Sequence, residues 1–305
     1  MAHPAGSTAR QGIEGNAAPI TSRENRWLKR FRAALSGERG SDGIVGVEGV
    51  RLVEAALGSG LAVEALLLSE SGRRHLSRVA PVLASAVPVL RTTDKLFASV
   101  ADTQTPQGIA VLVRLRRATI ENLLPGTALL VVLVGVQDPG NVGTIVRAAE
   151  AFGATGIATC LADRIGTADP FGTKALRASA GSALRLPIAP DIPPTVLLEQ
   201  LRLSRVKIYA AVAAGENSKN ETLDSDSSLL RPWEIDWKIA AAILIGNEGS
   251  GLPTDLVRAA DARVYIPQSA ATAPVGIESL NAAMAASVLL YEAMRQRNTV
   301  RKLRS

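Results

Sequence analysis

Apolar residues in the first 113 positions form short runs that alternate with segments of helical spacing. The runs predict four strands, at 44–47, 63–68, 88–90 and 109–113. The spaced segments predict four helices, at 22–35, 50–57, 75–86 and 94–100. Such alternation is typical of a compact α/β domain, which we place at 21–113. Residues 1–20 are small, polar and aperiodic, and we expect them to form a disordered tail.

The second part of the chain repeats the alternation, and several of its strands are apolar throughout. Strands are predicted at 128–135, 156–159, 184–188, 206–211, 239–245 and 263–266. Helices are predicted at 142–152 with Asn141 as N-cap, and at 170–180, 195–203, 254–260 and 279–297. Apolar strands connected by helices predict a parallel sheet covered on both faces. We place this second α/β domain at 128–298, between a charged linker at 114–127 and a basic tail at 299–305.

The last predicted helix carries an apolar stripe formed by Leu280, Met284, Val288 and Tyr291. A long, alanine-rich helix with such a stripe has to bury it against another surface. That surface is either the sheet of the same domain or a second subunit.

Three of the apolar runs lead into small, polar, glycine-bearing loops. These loops are 138–143, 246–251 and 278–281. In open parallel sheets, ligands bind where such loops follow the strands, because backbone N–H groups and helix N-termini converge there. The side chains there that are capable of chemistry are Asn141, Arg147, Glu248, Ser279 and Asn281.

The composition excludes several classes of site. Cys160 is the one cysteine, which excludes an internal disulfide, and its apolar neighbours predict a buried strand thiol. The two histidines, His3 and His75, lie away from the polar loops, so neither a zinc site nor a serine–histidine–aspartate triad is expected. The phosphate-binding P-loop and the dinucleotide fingerprint are also missing. No run is long enough to cross a membrane and no signal peptide is evident, so we expect a cytoplasmic protein without metal.

The formal net charge of the chain is +6, and its distribution predicts contact with a polyanion. Basic residues cluster in the first predicted helix, at Arg23, Arg26, Lys29 and Arg30. The last three of these share one helical face. Lysine and arginine gain affinity for nucleic acid by releasing counterions from its phosphates. We therefore expect the N-terminal domain to bind RNA through this face, although a solvated helix face is the simpler alternative.

The three loops together resemble the motifs of the SpoU (TrmH-like) branch of the SPOUT superfamily, which are RNA ribose 2′-O-methyltransferases. The matching segments are 138–153, 245–252, and 266–267 with 278–281 and 290–292. Segment 174–181 also resembles the family pattern, and 47–54 and 105–108 resemble its small substrate-binding domain. The resemblance covers roughly residues 22–297, and three ordered motifs make it specific.

The resemblance implies a C-terminal α/β domain with a deep trefoil knot, working as a homodimer, with S-adenosylmethionine as cofactor. Backbone near Gly246, Ile266 and Leu280 would hold the adenine and ribose of the cofactor. The complete cofactor-binding set that it implies is Leu133, Val134, Gly246, Asn247, Gly249, Gly251, Ile266, Pro267, Leu280 and Asn281. The N-terminal domain would bind the RNA, with Arg51 and Arg147 as further contacts.

The family resemblance also assigns the catalytic role to Arg147, as the base for the ribose 2′-hydroxyl. A guanidinium keeps its proton, so we interpret Arg147 as the group that stabilises the developing alkoxide. Asn141, Glu248, Ser279 and Asn281 would then fix the geometry. Segment 268–277 is longer than the link that the family commonly has there, so roles are not carried over to Gln268 and Ser269.

Three functions follow from this reading. We expect methylation of 23S ribosomal RNA, with transfer RNA as an alternative substrate. A non-catalytic RNA-binding relative is a second hypothesis, against which the intact polar loop residues argue. A Rossmann-type enzyme acting on a small nucleotide is a third, and the missing fingerprint argues against it.

Overall fold

The computed structural model describes residues 18–37, 42–116, 118–162, 165–213, 229–268 and 279–302. The predicted disordered tail therefore lies outside the described residues up to position 17, as do Glu278, the link from Ser269 onward and the last three residues of the basic tail. The chain separates into two compact units. Unit 1 comprises residues 1–116 and 171–185, and unit 2 comprises residues 117–170 and 186–305.

Unit 1 is built on a four-stranded mixed sheet. Its strands are β1 (Ile44–Glu48), β2 (Ala62–Ser69), β3 (Val89–Thr92) and β4 (Ile109–Arg114), in the spatial order β1-β4-β2-β3. Strand β4 is antiparallel to both neighbours, and β2 and β3 are parallel. Its α-helices are α1 (Arg26–Leu35), α2 (Val50–Gly58), α3 (Leu76–Val79) and α4 (Asp94–Ala98), with α7 (Thr173–Ala178) from later in the chain.

Helix α1 shows how the sequence encodes the core of unit 1. Asn25 caps the helix by accepting a hydrogen bond from the backbone N–H of Trp27 at 2.9 Å. Leu28, Phe31 and Leu35 recur at helical spacing and are fully buried. The basic residues of the helix consequently face away from this core.

Unit 2 is a seven-stranded sheet in which every described strand pair is parallel. The strands are β5 (Leu129–Val134), β6 (Gly156–Cys160), β7 (Ile188–Ile192), β8 (Lys207–Ala211), β9 (Leu229–Leu230), β10 (Ala241–Ile245) and β11 (Ala262–Val264), in the order β7-β6-β5-β10-β8-β11-β9. Strands β5, β6 and β10 are buried at every position. The α/β fold with a parallel sheet that the sequence predicted is confirmed.

Helices flank this sheet, and the last of them is attached at its far end by an arginine. The helices are α5 (Ile120–Leu123), α6 (Pro139–Ala151), α8 (Pro194–Leu203), α9 (Thr254–Ala259) and α10 (Ala282–Lys302). Arg297 of α10 donates to the carbonyl oxygens of Trp237 at 2.7 Å and Ile239 at 2.8 Å, and also to those of Thr127 and Ala128. Burial lowers the pKa of this guanidinium from its ordinary value. These bonds fix the direction of α10 against the sheet.

Two predicted elements are wrong. The helix predicted at 75–86 is replaced by the short helix α3 between two 3₁₀ turns, at Ser71–His75 and Ala80–Val82. Pro81 has no backbone N–H to donate, so the helix cannot continue through it. The strand predicted at 184–188 begins only at Ile188, because a 3₁₀ turn at Ser182–Leu184 precedes it and Pro187 cannot donate to a strand ladder.

Candidate functional site

The three polar loops meet at one edge of the sheet in unit 2. Strands β5 and β10 are neighbours, and β8 separates β10 from β11. Because these strands are parallel, the loops that follow Val134, Ile245 and Val264 all leave from the same edge. The topology therefore brings the three polar loops to one end of the sheet.

Helix α6 begins at this edge, three residues earlier than predicted. Asp138, not Asn141, is the N-cap, and its carboxylate accepts a hydrogen bond from the backbone N–H of Gly140 at 2.6 Å. Pro139 occupies the first helical position, where its fixed φ suits the helix and its missing N–H costs nothing. The predicted capping role of Asn141 is therefore wrong. Its side chain is left free to face the other two loops from the first turn of α6.

A chain of hydrogen bonds joins the three loops through Asn141. Its amide nitrogen donates to the Glu248 carboxylate at 3.0 Å, and its amide oxygen accepts from the Asn281 amide nitrogen, also at 3.0 Å. A carboxylate only accepts, which dictates this orientation of the Asn141 amide. The second oxygen of Glu248 accepts from the backbone N–H of Gln137 at 3.4 Å. Glu248 and Asn281, which lie 107 and 140 positions beyond Asn141 in the sequence, are thus both connected to it.

Asn281 has a second function as the N-cap of α10. Its side-chain oxygen accepts from the backbone N–H of Ala283 at 2.9 Å and of Met284 at 3.3 Å. Its nitrogen remains available for Asn141. Capping and site assembly therefore use opposite ends of one amide. Ser279 lies two residues upstream and is exposed.

The loop after β10 is held closed by Asn247. Its side-chain oxygen accepts from the backbone N–H groups of Gly249 and Ser250 at 2.9 and 3.0 Å. Its nitrogen donates to the Gly135 carbonyl oxygen at 2.8 Å, which ties the loop to the end of β5. A Cβ on Gly246 would lie 2.4 Å from the Gly251 carbonyl carbon, so the loop can close only around a glycine.

A cavity of about 460 Å³ opens beside these loops. It is lined by Ala211, Val212, Ala213, Ile245, Gly246, Asn247, Glu248, Gly249, Gly251, Val264, Ile266, Gln268, Ser279, Leu280, Ala282, Ala285 and Leu289. Six residues of the predicted cofactor set are in this lining: Gly246, Asn247, Gly249, Gly251, Ile266 and Leu280. Leu133 and Val134 lie fully buried inside β5, and Pro267 is exposed beside the lining.

Part of this wall was not predicted from the sequence. Residues 211–213 follow β8, a strand that the sequence did predict, and the rule that ligands bind at the carboxyl ends of strands would have included them. Gln137 was also missed, because it contributes a backbone N–H that no side-chain pattern reveals.

Arg147 lies on α6 with its side chain exposed. It is six residues beyond Asn141, about 9 Å along the helix axis. Helical side chains lean toward the N-terminus, and the residues one turn earlier are small, Gly143 and Thr144. Within the described parts of the chain Arg147 forms no hydrogen bond or ion pair, which leaves its guanidinium available to a ligand.

The predicted RNA-binding residues of unit 1 are surface groups. Arg23, Arg26, Lys29 and Arg51 are exposed, and Arg30 is half-buried. The guanidinium carbons of Arg26 and Arg30 lie 5.7 and 5.2 Å from the ring centroid of Trp27. Lys29 pairs with Glu24 at 2.6 Å. The face is therefore basic but partly neutralised by its own carboxylates.

The remaining observations concern Cys160, possible metal ligands and membrane-spanning helices. Cys160 is buried in β6, as predicted, and burial raises the pKa of its thiol to about 12. Among the residues that the structure describes, no three histidine, cysteine or acidic side chains are grouped so as to bind a metal ion. Within the same residues, no helix combines the length and apolar character needed to span a bilayer.

Comparison with known proteins agrees with the geometry. The model of the SpoU rRNA methylase family matches residues 128–291, and that of the MRM3-like substrate-binding domain matches residues 34–111. The chain is 30% identical to the 23S rRNA (guanosine(2553)-2′-O)-methyltransferase RlmP of Bacillus subtilis, covering 89% of this chain and 97% of that protein. It is also 30% identical to the 23S rRNA (uridine(2479)-2′-O)-methyltransferase of Streptomyces viridochromogenes, covering 91% and 92% of the two chains.

A solved structure extends the similarity to three dimensions. The AdoMet-bound rRNA methyltransferase of Sinorhizobium meliloti superposes with a TM-score of 0.74 at 30% identity, covering 92% of this chain and 98% of that one. The resemblance read from the three loops is therefore confirmed. The family model matches more than half of this chain, and the chain therefore belongs to the SpoU rRNA methylase family.

Proposed function

We propose that this protein transfers a methyl group from S-adenosylmethionine to a ribose 2′-hydroxyl of 23S ribosomal RNA. The observation that carries the proposal is the hydrogen-bonded chain Asn281–Asn141–Glu248 at the rim of the cavity. Family membership supplies the reaction class, and the relatives' names supply the RNA. Two of these relatives are named for different nucleotides, a guanosine and a uridine, so the similarity does not favour one base.

The residues around the cavity fit S-adenosylmethionine. A volume of about 460 Å³ lies within the range of roughly 300–1,000 Å³ of small-molecule sites. The described lining contains the carboxylate of Glu248 and neither lysine nor arginine, which suits a cationic ligand. When bound, the cofactor supplies a methyl group that is activated by the positive charge on its sulfur. Backbone at Gly246, Ile266 and Leu280 would hold its adenine and ribose.

Arg147 is the group that we assign to the ribose oxygen. The 2′-hydroxyl has to release its proton to solvent water as the new oxygen–carbon bond forms, and negative charge develops on the oxygen as this proton leaves. A guanidinium that donates hydrogen bonds to this oxygen stabilises that charge without having to give up a proton. The exposed position of Arg147 on α6 allows an RNA ribose to approach it.

The remaining polar residues position the reacting groups. Asn141 holds the carboxylate of Glu248 beside the cavity, and Asn281 fixes Asn141. Ser279 lines the same cavity and would contact the bound molecules there. Fixing reactants in this way removes translational and rotational freedom before the reaction, and this can contribute several orders of magnitude to the rate.

Three further properties belong to the proposal. The apolar stripe on α10 leaves Met284 60% and Tyr291 51% exposed within one chain, which supports a homodimer formed through this helix. Arg147 would then face RNA close to the subunit interface. The trefoil knot that the family resemblance implies is likewise part of the proposal. The exposed basic residues of unit 1 would contribute phosphate contacts.

Comparing ribose methylation in cells with and without the gene tests the proposal. A 2′-O-methyl group protects the neighbouring phosphodiester bond from alkaline cleavage, so methylated positions are read as protected sites across all RNA. We expect one protected site in 23S rRNA to disappear on deletion. The wild-type gene should restore it and an Arg147→Ala gene should not. Loss of a site in tRNA instead, or no lost site, would contradict the proposal.

A further inference from the structure

An exposed tryptophan follows the edge strand β9. Trp233 is 55% exposed, although large aromatic residues are usually buried for most of their area. Trp237, four residues later, is fully buried, and its indole N–H donates to the Pro232 carbonyl oxygen at 2.8 Å. Trp237 thus contributes to the core of unit 2. Trp233 does not, and among the described residues of unit 2 no packing contact accounts for its exposure.

The guanidinium of Arg231 lies against the ring of Trp233, and Glu234 holds it in place. The Arg231 side chain donates to Glu234 at 3.0 Å through Nε, and its backbone N–H donates to the same carboxylate at 2.8 Å. The guanidinium carbon lies 5.4 Å from the centroid of the Trp233 ring. Arg231 is therefore fixed over one side of the indole, while more than half of the area of Trp233 remains open.

The turn that contains Trp233 follows the carboxyl end of β9, so it lies at the same end of the sheet as the cavity. The backbone N–H of Tyr265 donates to the Leu230 carbonyl oxygen at 3.0 Å, which places the turn after β9 beside the end of β11. The next residue, Ile266, lines the cavity. Four strand spacings separate β9 from β5, about 19 Å at roughly 4.8 Å per strand. Within one chain, the turn and the strand that leads to α6 are therefore separated by more than the width of one nucleotide.

We propose that Trp233 stacks against an unpaired nucleobase of the RNA substrate, a few nucleotides from the methylated one. This inference rests on the function proposed above. Single-stranded RNA is bound by aromatic side chains because every base offers a flat π-surface, and an arginine beside the ring strengthens such a platform. A protein partner would need a contiguous apolar patch. Trp233 instead is a single ring among exposed charged residues, namely Arg231, Glu234, Asp236 and Lys238.

The test compares Trp233→Ala and Trp233→Phe with the wild type in binding unmodified 23S rRNA transcribed in vitro. We expect Trp233→Ala to weaken binding by about 5- to 150-fold, and Trp233→Phe to retain most of the affinity. The slope of log affinity against log salt concentration should not change, because no phosphate contact is lost. In methylation assays KM for RNA should rise while kcat at saturating RNA stays unchanged.

A second measurement does not depend on Trp233 variants. In a Trp27→Phe protein, Trp233 is the exposed indole of the described chain, and RNA should protect it from quenching by acrylamide. Wild-type affinity in Trp233→Ala, or no protection by RNA, would overturn the inference. A change of sedimentation coefficient in Trp233→Ala would assign the ring to a contact between copies and overturn it as well. If the wild type methylates the transcript in these experiments, the proposed function stands whatever Trp233 does.

Discussion

Asn141 connects the site because an asparagine side chain donates at one end and accepts at the other. It receives a hydrogen bond from Asn281 and passes one to Glu248, and these three residues come from three different loops. Neither an aspartate nor an alanine can do both. The sequence identified all three residues, but it could not show that one amide joins them.

Replacing Asn141 with aspartate should make methylation depend on pH. The new carboxylate would lie about 3 Å from Glu248, and two carboxylates at that distance share one proton, which raises one pKa. We expect activity to fall roughly 10²-fold at pH 8. It should recover partly toward pH 6, where the shared proton restores a hydrogen bond.

Asn141→Ala is the matched control, since it removes the amide without adding a charge. It should lose activity to a similar extent at pH 8 and show no recovery at pH 6. Equal pH profiles for the two variants would contradict this account of the Asn141–Glu248 contact.

Cys160 supplies a test of the core that is independent of the reaction. Its pKa is raised from 9.0 to about 12 by burial, so the native thiol stays protonated well above pH 9 while the unfolded thiol ionises. The unfolded state then binds fewer protons than the native state, and the free energy of unfolding should decrease as the pH rises above 9. Denaturant titrations should show that this decrease is smaller in Cys160→Ala, and an unchanged decrease would contradict it.

The loop after β10 contains two glycines that differ in the space available for a side chain. A Cβ at Gly246 would meet the backbone of Gly251 at 2.4 Å, whereas a Cβ at Gly249 would lie 3.6 Å from the Asn247 side chain. We expect Gly246→Ala to abolish binding of S-adenosylmethionine in calorimetry and Gly249→Ala to leave it nearly unchanged. Normal binding by Gly246→Ala would show that this loop does not form the cofactor wall.

Element boundaries could be predicted only where one local signal dominated. Strands β5 and β10 were found because every residue in them is apolar, as burial on both faces requires. The start of α6 was misplaced although Asp138 followed by Pro139 is itself an N-terminal signal. The helix predicted at 75–86 failed because the apolar spacing was given more weight than Pro81.

At the scale of the whole molecule, the exposed stripe of α10 predicts a dimer that one charge can dissociate. Val288 lies at its centre and is 42% exposed. An aspartate there would be buried without a partner in the interface, so Val288→Asp should sediment as a monomer. Leu203→Asp is the control, because Leu203 is 71% exposed on a different helix, α8, and should leave the dimer intact. A monomeric wild type would contradict the dimer.

Long-range organisation was the part that local patterns could not supply. The sequence left open what covers the α10 stripe, and the structure shows that the buried face of this helix is a different one, which includes Ala286, Leu289 and Ala293. Residues 171–185 group with unit 1 although they follow β6 of unit 2. Trp233 was not singled out, because a lone tryptophan carries no periodicity. Each of these features depends on contacts between distant parts of the chain.

We expect this protein to methylate a ribose hydroxyl of ribosomal RNA with the help of Arg147. The most direct test incubates purified protein with an unmodified 23S rRNA transcript and S-adenosylmethionine, digests the RNA to nucleosides and identifies methylated nucleosides by mass spectrometry. We expect a single 2′-O-methylated nucleoside with the wild type. We expect none with Arg147→Ala, which should still bind the cofactor with nearly unchanged affinity. A methyl group on a base, or full turnover by Arg147→Ala, would contradict it.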